Sequence, residues 1–212
     1  MKNKIEQFPL HVLKIIFPNK NNIDFTKLQL TTEGIYSVSI YRAGLYLRNI
    51  ISKYFKRNNI TITDGTGNCG ADTIMFGLFF KNVNSIELNN TNFKALKNNI
   101  KQYNLNNVKL FKGSCINIIP TLKRQNCIYI DAPWNGTDYK NNISIKLYLD
   151  NKELSEIYYI LYKYTELLIF KVPVNYDFTY FIQNTHIRKY YIDSFIDKYT
   201  NIRFYYIFIS TF

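Results

Sequence analysis

Ile60-Thr61-Ile62-Thr63-Asp64-Gly65-Thr66-Gly67-Asn68-Cys69-Gly70 is the stretch that decides the fold. A short β-branched run reads as a strand, an acid closes it, and three glycines turn the chain into the helix-compatible stretch 70–80. Outward from this turn, strand and helix alternate. VNSIE (83–87) reads as strand, 90–103 as a helix carrying Lys94, Lys97 and Lys101, and VKLF (108–111) as strand. Residues 115–123 read as helix, CIYID (127–131) as strand, 150–164 as helix and LLIFKV (167–172) as strand. A helix at 176–183 and strands near 186–192 and 202–209 complete the pattern. Strands separated by crossover helices imply a doubly wound, Rossmann-like α/β fold. Its sheet would have seven mostly parallel strands, with the last two as an antiparallel edge hairpin.

Upstream of residue 60 the periodicity is helical. Ile5, Phe8, Val12, Ile15 and Ile16 recur at helical spacing before Pro18. Residues 39–57 carry Leu45, Leu47, Ile50, Ile51, Tyr54 and Phe55 among Arg42, Arg48, Lys53, Lys56 and Arg57. The expected organisation is a helical N-terminal extension, 1–58, followed by one α/β domain, 59–212. No repeat and no Pro/Gly/Ser linker divides the chain further.

The 212 residues are 47% hydrophobic, enough for a full core, which excludes intrinsic disorder. No apolar run approaches the ~18–20 residues of a membrane span, and the start MKNKIEQFPL lacks a signal peptide's apolar stretch. Three scattered cysteines (Cys69, Cys115, Cys127) offer no disulfide framework and point to a reducing, intracellular setting. With only His11 and His186 available, no metal site is expected. The net charge of +12 favours an anionic partner, nucleic acid above all. Part of that charge, like the 19 tyrosines, is what an AT-rich coding sequence would produce for any function.

The chemistry concentrates in two loops. At the first, glycines let the backbone approach a ligand, and the following helix N-terminus presents N–H groups to it. Such a turn also serves packing alone in many α/β proteins. The spacing is not the G-x-G-x-x-G of dinucleotide cradles. Asp64 stands before the first glycine, where an acid suits an ammonium group, and Glu87 closes the second strand, where an acid grips ribose hydroxyls. A ligand with ribose and an amino-acid tail but no phosphate fits this set, as S-adenosylmethionine does. The second loop, Asp131-Ala132-Pro133-Trp134-Asn135-Gly136-Thr137-Asp138-Tyr139-Lys140, follows the fourth strand. In a doubly wound sheet that position shares a cleft with the glycine loop. Pro133 stiffens the turn, and Trp134, the sole tryptophan, offers a flat face beside acceptors, as a nucleobase requires.

Together these residues resemble the trimethylguanosine synthase-like cap guanine-N2 methyltransferases, including the short forms expected in large DNA viruses. The similarity runs from about residue 27 to 210. Glu33-Gly34-Ile35-Tyr36-Ser37-Val38-Ser39 resembles that family's upstream Glu-Gly-aromatic-aromatic-Ser-Val-Thr motif. Asp131 to Tyr139 is similar to its [S/D]-P-P-W-G-G-x-D-Y catalytic loop, and Phe170 to Tyr176 to its strand ending in Pro-x-Asn. The resemblance implies methyl transfer from S-adenosylmethionine to the exocyclic N2 of a 7-methylguanosine cap on RNA. It implies that Glu33, Ser39, Asp64, Gly65, Gly67, Glu87 and Ser114 hold the cofactor. It also implies that Asp131, Pro133 and Trp134 form the catalytic loop, with Asn135, Tyr176 and Lys14 toward the substrate. The N-terminal extension would lie on the cap side, and the partner would be capped RNA, with no membrane.

Three positions depart from the family pattern. Ala132 replaces the loop's first proline, Asn135 its first glycine, and Ser114 an aspartate that meets the adenine amine in many relatives. Two other readings share these residues. Asp-x-Pro-Trp also suits amino-methyltransferases acting on adenine N6 or on non-cap guanine, and the altered loop would suit a noncatalytic RNA-binding subunit.

Overall fold

The computed structural model describes residues 2–134, 136 and 138–211. The chain forms two compact units, residues 1–115 and 116–212.

Unit 1 opens with a two-residue strand β1 (Ile5–Glu6), helix α1 (Leu10–Ile16), strand β2 (Leu30–Thr31) and a single helical turn α2 (Gly34–Ser37). The periodicity predicts one helix over 5–17, but its first residues are strand: Ile5 pairs antiparallel with Thr31 and Glu6 with Leu30. Helix α1 ends before Pro18, which disfavours helical backbone in its predecessor Phe17. Helix α3 (Tyr41–Phe55) stops at Lys56, whose left-handed φ of 53° cannot continue the helix. Then come β3 (Thr61–Asp64), α4 (Ala71–Phe79), β4 (Asn82–Glu87), α5 (Asn90–Gln102) and β5 (Val108–Lys112). Strand β4 pairs parallel with both β3 and β5. Helix α5 is started by Asn89, whose side chain accepts from the N–H groups of Thr91 and Asn92.

The N-terminal segment is not a separate layer within this unit. Leu13, Ile16, Phe17, Leu28 and Leu30 share one buried cluster with Cys69, Ile74, Leu96 and Tyr103. Residues 1–58 and the first half of the α/β pattern therefore have a common core.

Unit 2 follows from the short helix α6 (Cys115–Ile118), which gives way to a 3-10 turn containing Pro120. Its elements are β6 (Gln125–Ile130), the small pair β7 (Tyr148–Leu149) and β8 (Lys152–Glu153), α7 (Leu154–Leu161), β9 (Thr165–Pro173), α8 (Phe178–Thr185), β10 (Tyr190–Ile196) and β11 (Arg203–Ser210). Helix α7 begins later than position 150 because Asp150 and Asn151 take positive φ. A Glu153/Glu156 capping box then sets its start. Strand β9 pairs parallel with β6 and antiparallel with β11, and β11 pairs antiparallel with β10. The seven main strands make the mostly parallel, Rossmann-like sheet that the sequence predicts, with the antiparallel hairpin at its C-terminal end. All three cysteines are buried thiols. No helix among the described residues is long and apolar enough to cross a membrane.

Candidate active site

In unit 1 the glycine loop is stitched to the upstream motif. Asn99, buried in α5, donates from Nδ2 to the carbonyls of Gln29 (2.7 Å) and Cys69 (2.8 Å), and accepts from Gln29 N at Oδ1 (2.8 Å). Asn68 Nδ2 donates to Gly34 O at 3.0 Å, and Ser39 Oγ donates to Asp72 Oδ2 at 2.6 Å. Gly34, Ser39 and the glycine loop are thus fixed in one arrangement, with the exposed Glu33 carboxylate beside it. Gly67 is required by packing: a Cβ there would lie 2.5 Å from Ser85 Oγ and 3.1 Å from Leu96 Cδ2.

The two acids that close the strands are both buried. Asp64 accepts from Thr73 Oγ1 (2.5 Å) and Thr66 N (3.2 Å), and Thr73 in turn meets Ser85 Oγ at 2.7 Å. Glu87 accepts from Asn68 N at 2.7 Å and Asn89 N at 2.6 Å, so one carboxylate bridges the glycine loop and the start of α5. Burial raises the Glu87 pKa above the ordinary carboxylate range, and the backbone N–H bonds oppose the rise. Burial likewise pushes the neighbouring Cys69 thiol up to about 11.

The glycine-loop region, with Asp64, Glu87, Glu33 and the Oδ1 of Asn68, which is buried and without a donor among the described residues, has an acceptor-rich lining. No lysine or arginine lies between Asp64 and Gly70. Hydroxyl and ammonium donors suit such a lining and phosphates do not, so these residues fit S-adenosylmethionine. Ser114 stands half-buried directly after β5 and Gly113. Lys14 is exposed at the rim of a cavity of about 640 Å³ lined by Tyr41, Leu45, Met75 and Phe79 among others. Lys20 is committed to structure, donating to Tyr103 O at 2.9 Å.

Unit 2 holds the catalytic-loop candidates. Asp131 follows β6, and its Oδ2 accepts from Lys171 Nζ at 2.7 Å, with both side chains largely buried. The Trp134 indole is half-buried. Its ring meets Tyr139 edge-on at 5.3 Å and Phe204 at 6.2 Å, with Lys171 Nζ over it at 5.3 Å. Its Nε1–H is buried and meets no acceptor among the described residues. Pro133 is exposed, and Asn135 lies outside the described residues.

Asn175, from the Pro-x-Asn segment, clamps the far side of this loop. Its Nδ2 donates to the carbonyls of Tyr139 and Asn142, each at 2.8 Å. Those two carbonyls fix the amide orientation, and its Oδ1 is buried and meets no donor among the described residues. Tyr176, expected toward the substrate, belongs instead to the core of unit 2. It is 5% exposed, its ring packs on Phe178 and Phe181, and its hydroxyl points to Glu153 at 3.4 Å. Burial, with the nearby Glu153 charge, drives that phenol pKa far upward. Phe178 packs between Tyr176 and Tyr205.

The residue that sequence reasoning missed is Lys171. Its signal was legible: a single lysine inside the apolar strand LLIFKVP demands a buried counter-charge. Among the described residues no group of three His, Cys, Asp or Glu side chains could hold a metal ion.

The family model for RNA cap guanine-N2 methyltransferases matches residues 59–203, which span both the glycine loop and the Asp131–Trp134 segment. The chain belongs to that family. It is a class I S-adenosylmethionine-dependent methyltransferase in fold and family. An uncharacterised protein of Acanthamoeba polyphaga mimivirus is 27% identical over 225 aligned positions, covering 93% of this chain and 87% of that one. A structure from Klebsiella pneumoniae described as an O-methyltransferase superposes with a TM-score of 0.60 at 12% identity, covering 94% of each chain. A Porphyromonas gingivalis structure described as a methyltransferase also reaches 0.60, at 16% identity over 84% of this chain. This chain spans 42% of that protein's length. At these identities the structural likeness speaks for the fold alone.

Proposed function

We propose that the protein methylates the exocyclic N2 of a 7-methylguanosine cap on RNA. The observation that carries this reading is the Trp134 cluster. An indole whose N–H meets no acceptor among the described residues stands three residues after a largely buried carboxylate, in a loop clamped by Asn175. Support also comes from the family match and from the +12 charge, which suits a polyanionic substrate.

In this reading Glu87 accepts from the ribose hydroxyls through its remaining lone pairs. Asp64 and the backbone at Gly65 and Gly67 face the amino-acid tail, Glu33 and Ser39 close that side, and Ser114 meets the adenine edge. S-adenosylmethionine, when bound, supplies a methyl group made electrophilic by its sulfonium. Trp134 takes the cap base on the ring face opposite Lys171, and the N7-methylated base, being cationic, gains about 2 kcal/mol from a desolvated cation–π contact. Asp131 accepts from the guanine amine, whose lone pair is otherwise delocalised into the ring. Localising that pair lets N2 form its bond to carbon as the carbon–sulfur bond breaks. The surplus N2 proton leaves through the carboxylate to water. Pro133 stiffens the turn that sets this geometry, Asn135 contributes to the base side, and Lys14 meets the cap phosphates. Much of the acceleration comes from alignment, since holding reactants in line is worth about 7–11 kcal/mol in favourable cases.

The test is transfer of labelled methyl to RNA beginning m7GpppN and to matched GpppN RNA, followed by nucleoside analysis. Label at N2 of the m7G cap is the expected result. Label only in uncapped RNA, at adenine N6 or an internal guanine, would replace this reading with that of a general amino-methyltransferase.

A further inference from the structure

Lys171 lies inside β9, a nine-residue strand buried over almost its whole length, and is itself only 5% exposed. An ammonium in that position loses its hydration and must recover it from an anion or from ring faces. It finds both. Nζ donates to Asp131 Oδ2 at 2.7 Å, and it lies 5.3 Å from the Trp134 ring centroid and 4.8 Å from that of Phe204. One cation therefore touches the acid and the indole together.

We propose that Lys171 is the positioning residue of the target-base platform. By pinning Asp131 Oδ2 and bracing one face of Trp134, it holds acceptor and stacking surface in one fixed relation. This rests on the function proposed above. An aspartate at the start of a loop has freedom about its side-chain bonds that its contacts must restrict. A charge-assisted bond of this length removes that freedom. The ring contacts act on the indole in the same way, with Tyr139 and Phe204 packed against it at steep angles.

The experiment uses the full chain with Lys171→Met, Lys171→Arg and the double variant Asp131→Asn/Lys171→Met. Trp134 is the sole tryptophan, so intrinsic fluorescence reads its surroundings without any turnover. Binding of labelled S-adenosylmethionine and kcat and KM on m7GpppA-capped RNA complete the set. Lys171→Met is expected to shift the emission and to keep cofactor affinity within about twofold. Its kcat should fall about 100-fold with little change in KM. Lys171→Arg should recover at least about a tenth of the wild-type kcat, since it restores the cation. If Lys171→Met fails to fold around a carboxylate that has lost this ammonium, the double variant, which carries neither charge, should fold, bind cofactor and show the shifted emission. Wild-type emission in a folded Lys171→Met or double variant overturns the proposal, as does an unchanged kcat in Lys171→Met. A wild-type protein that methylates no capped RNA overturns the cap reading instead, and the emission of Lys171→Met then still decides this one.

Discussion

Lys171 Nζ stands 2.7 Å from Asp131 Oδ2, and the two residues are 40 positions apart in the chain. Strands β6 and β9 pair in parallel, Ile130 opposite Phe170, so the residue after each partner emerges at the same level. That register makes the ion pair. Side-chain exposures of 6% and 12% place the pair mostly out of solvent.

Asp131→Asn alone should destabilise the protein by about 3–5 kcal/mol, because it leaves a buried ammonium without its anion. Adding Lys171→Met should return most of that loss. Urea denaturation of the wild type, both single variants and the double variant gives the coupling energy directly. A coupling near zero would mean that the pair is not formed in solution.

Trp134→Ala should reduce turnover at least about 100-fold while leaving cofactor affinity within about twofold, since in the proposed reading the indole contacts the target base and not the cofactor. Labelled-cofactor binding and single-turnover methylation of capped RNA separate the two effects.

Gly67→Ala should destabilise by about 1–3 kcal/mol, the usual cost of forcing extra volume into a packed site. The new Cβ would press on Ser85 Oγ at 2.5 Å, and that hydroxyl is tied to Thr73. Ser85→Ala in the same chain should recover part of the loss, as read by thermal and urea melts.

Glu87 gives the pH dependence. Its folded pKa is raised above the ordinary 4.5 by burial. Between the unfolded and the raised folded pKa the native state holds the extra proton, so stability falls as pH rises through that interval. Glu87→Gln should lack this component of the pH-stability curve. Cofactor affinity should change in the opposite sense, weakening as pH falls through the raised pKa, because the protonated acid loses acceptor capacity. Urea denaturation of wild type and Glu87→Gln from pH 4.5 to 8 checks the first direction, and calorimetric titration with S-adenosylhomocysteine over the same range checks the second.

Asn175→Ala should remove the amide's two bonds to the carbonyls of Tyr139 and Asn142 and loosen the Trp134 loop. The expected result is faster proteolytic cleavage near residues 139–142 and reduced kcat, with the melting temperature little changed.

Much of this protein can be read directly from its residues. The β-branched run ending at Asp64, the glycine turn and the alternating apolar segments specify a doubly wound sheet because each depends on local propensity and periodicity. The acids at strand ends and the lone tryptophan after Pro133 mark the two loops for the same reason. Elements set by distant partners are misread. Ile5–Glu6 becomes strand only because Leu30–Thr31 pairs with it. The strand expected near 186–192 runs instead over Tyr190–Ile196, where pairing with β11 fixes its register and His186 ends α8 in a left-handed turn.

The sequence by itself determined the fold class, the methyltransferase family and the positions of both loops, since neighbouring residues along the chain encode these. Only the tertiary structure decided that Lys171 serves Asp131 and Trp134, that Tyr176 is core, and that Glu87 ties the glycine loop to α5. Each of those outcomes follows from which strands lie side by side and how deeply a group is buried. No local pattern specifies the long-range partner that a buried charge or phenol will find.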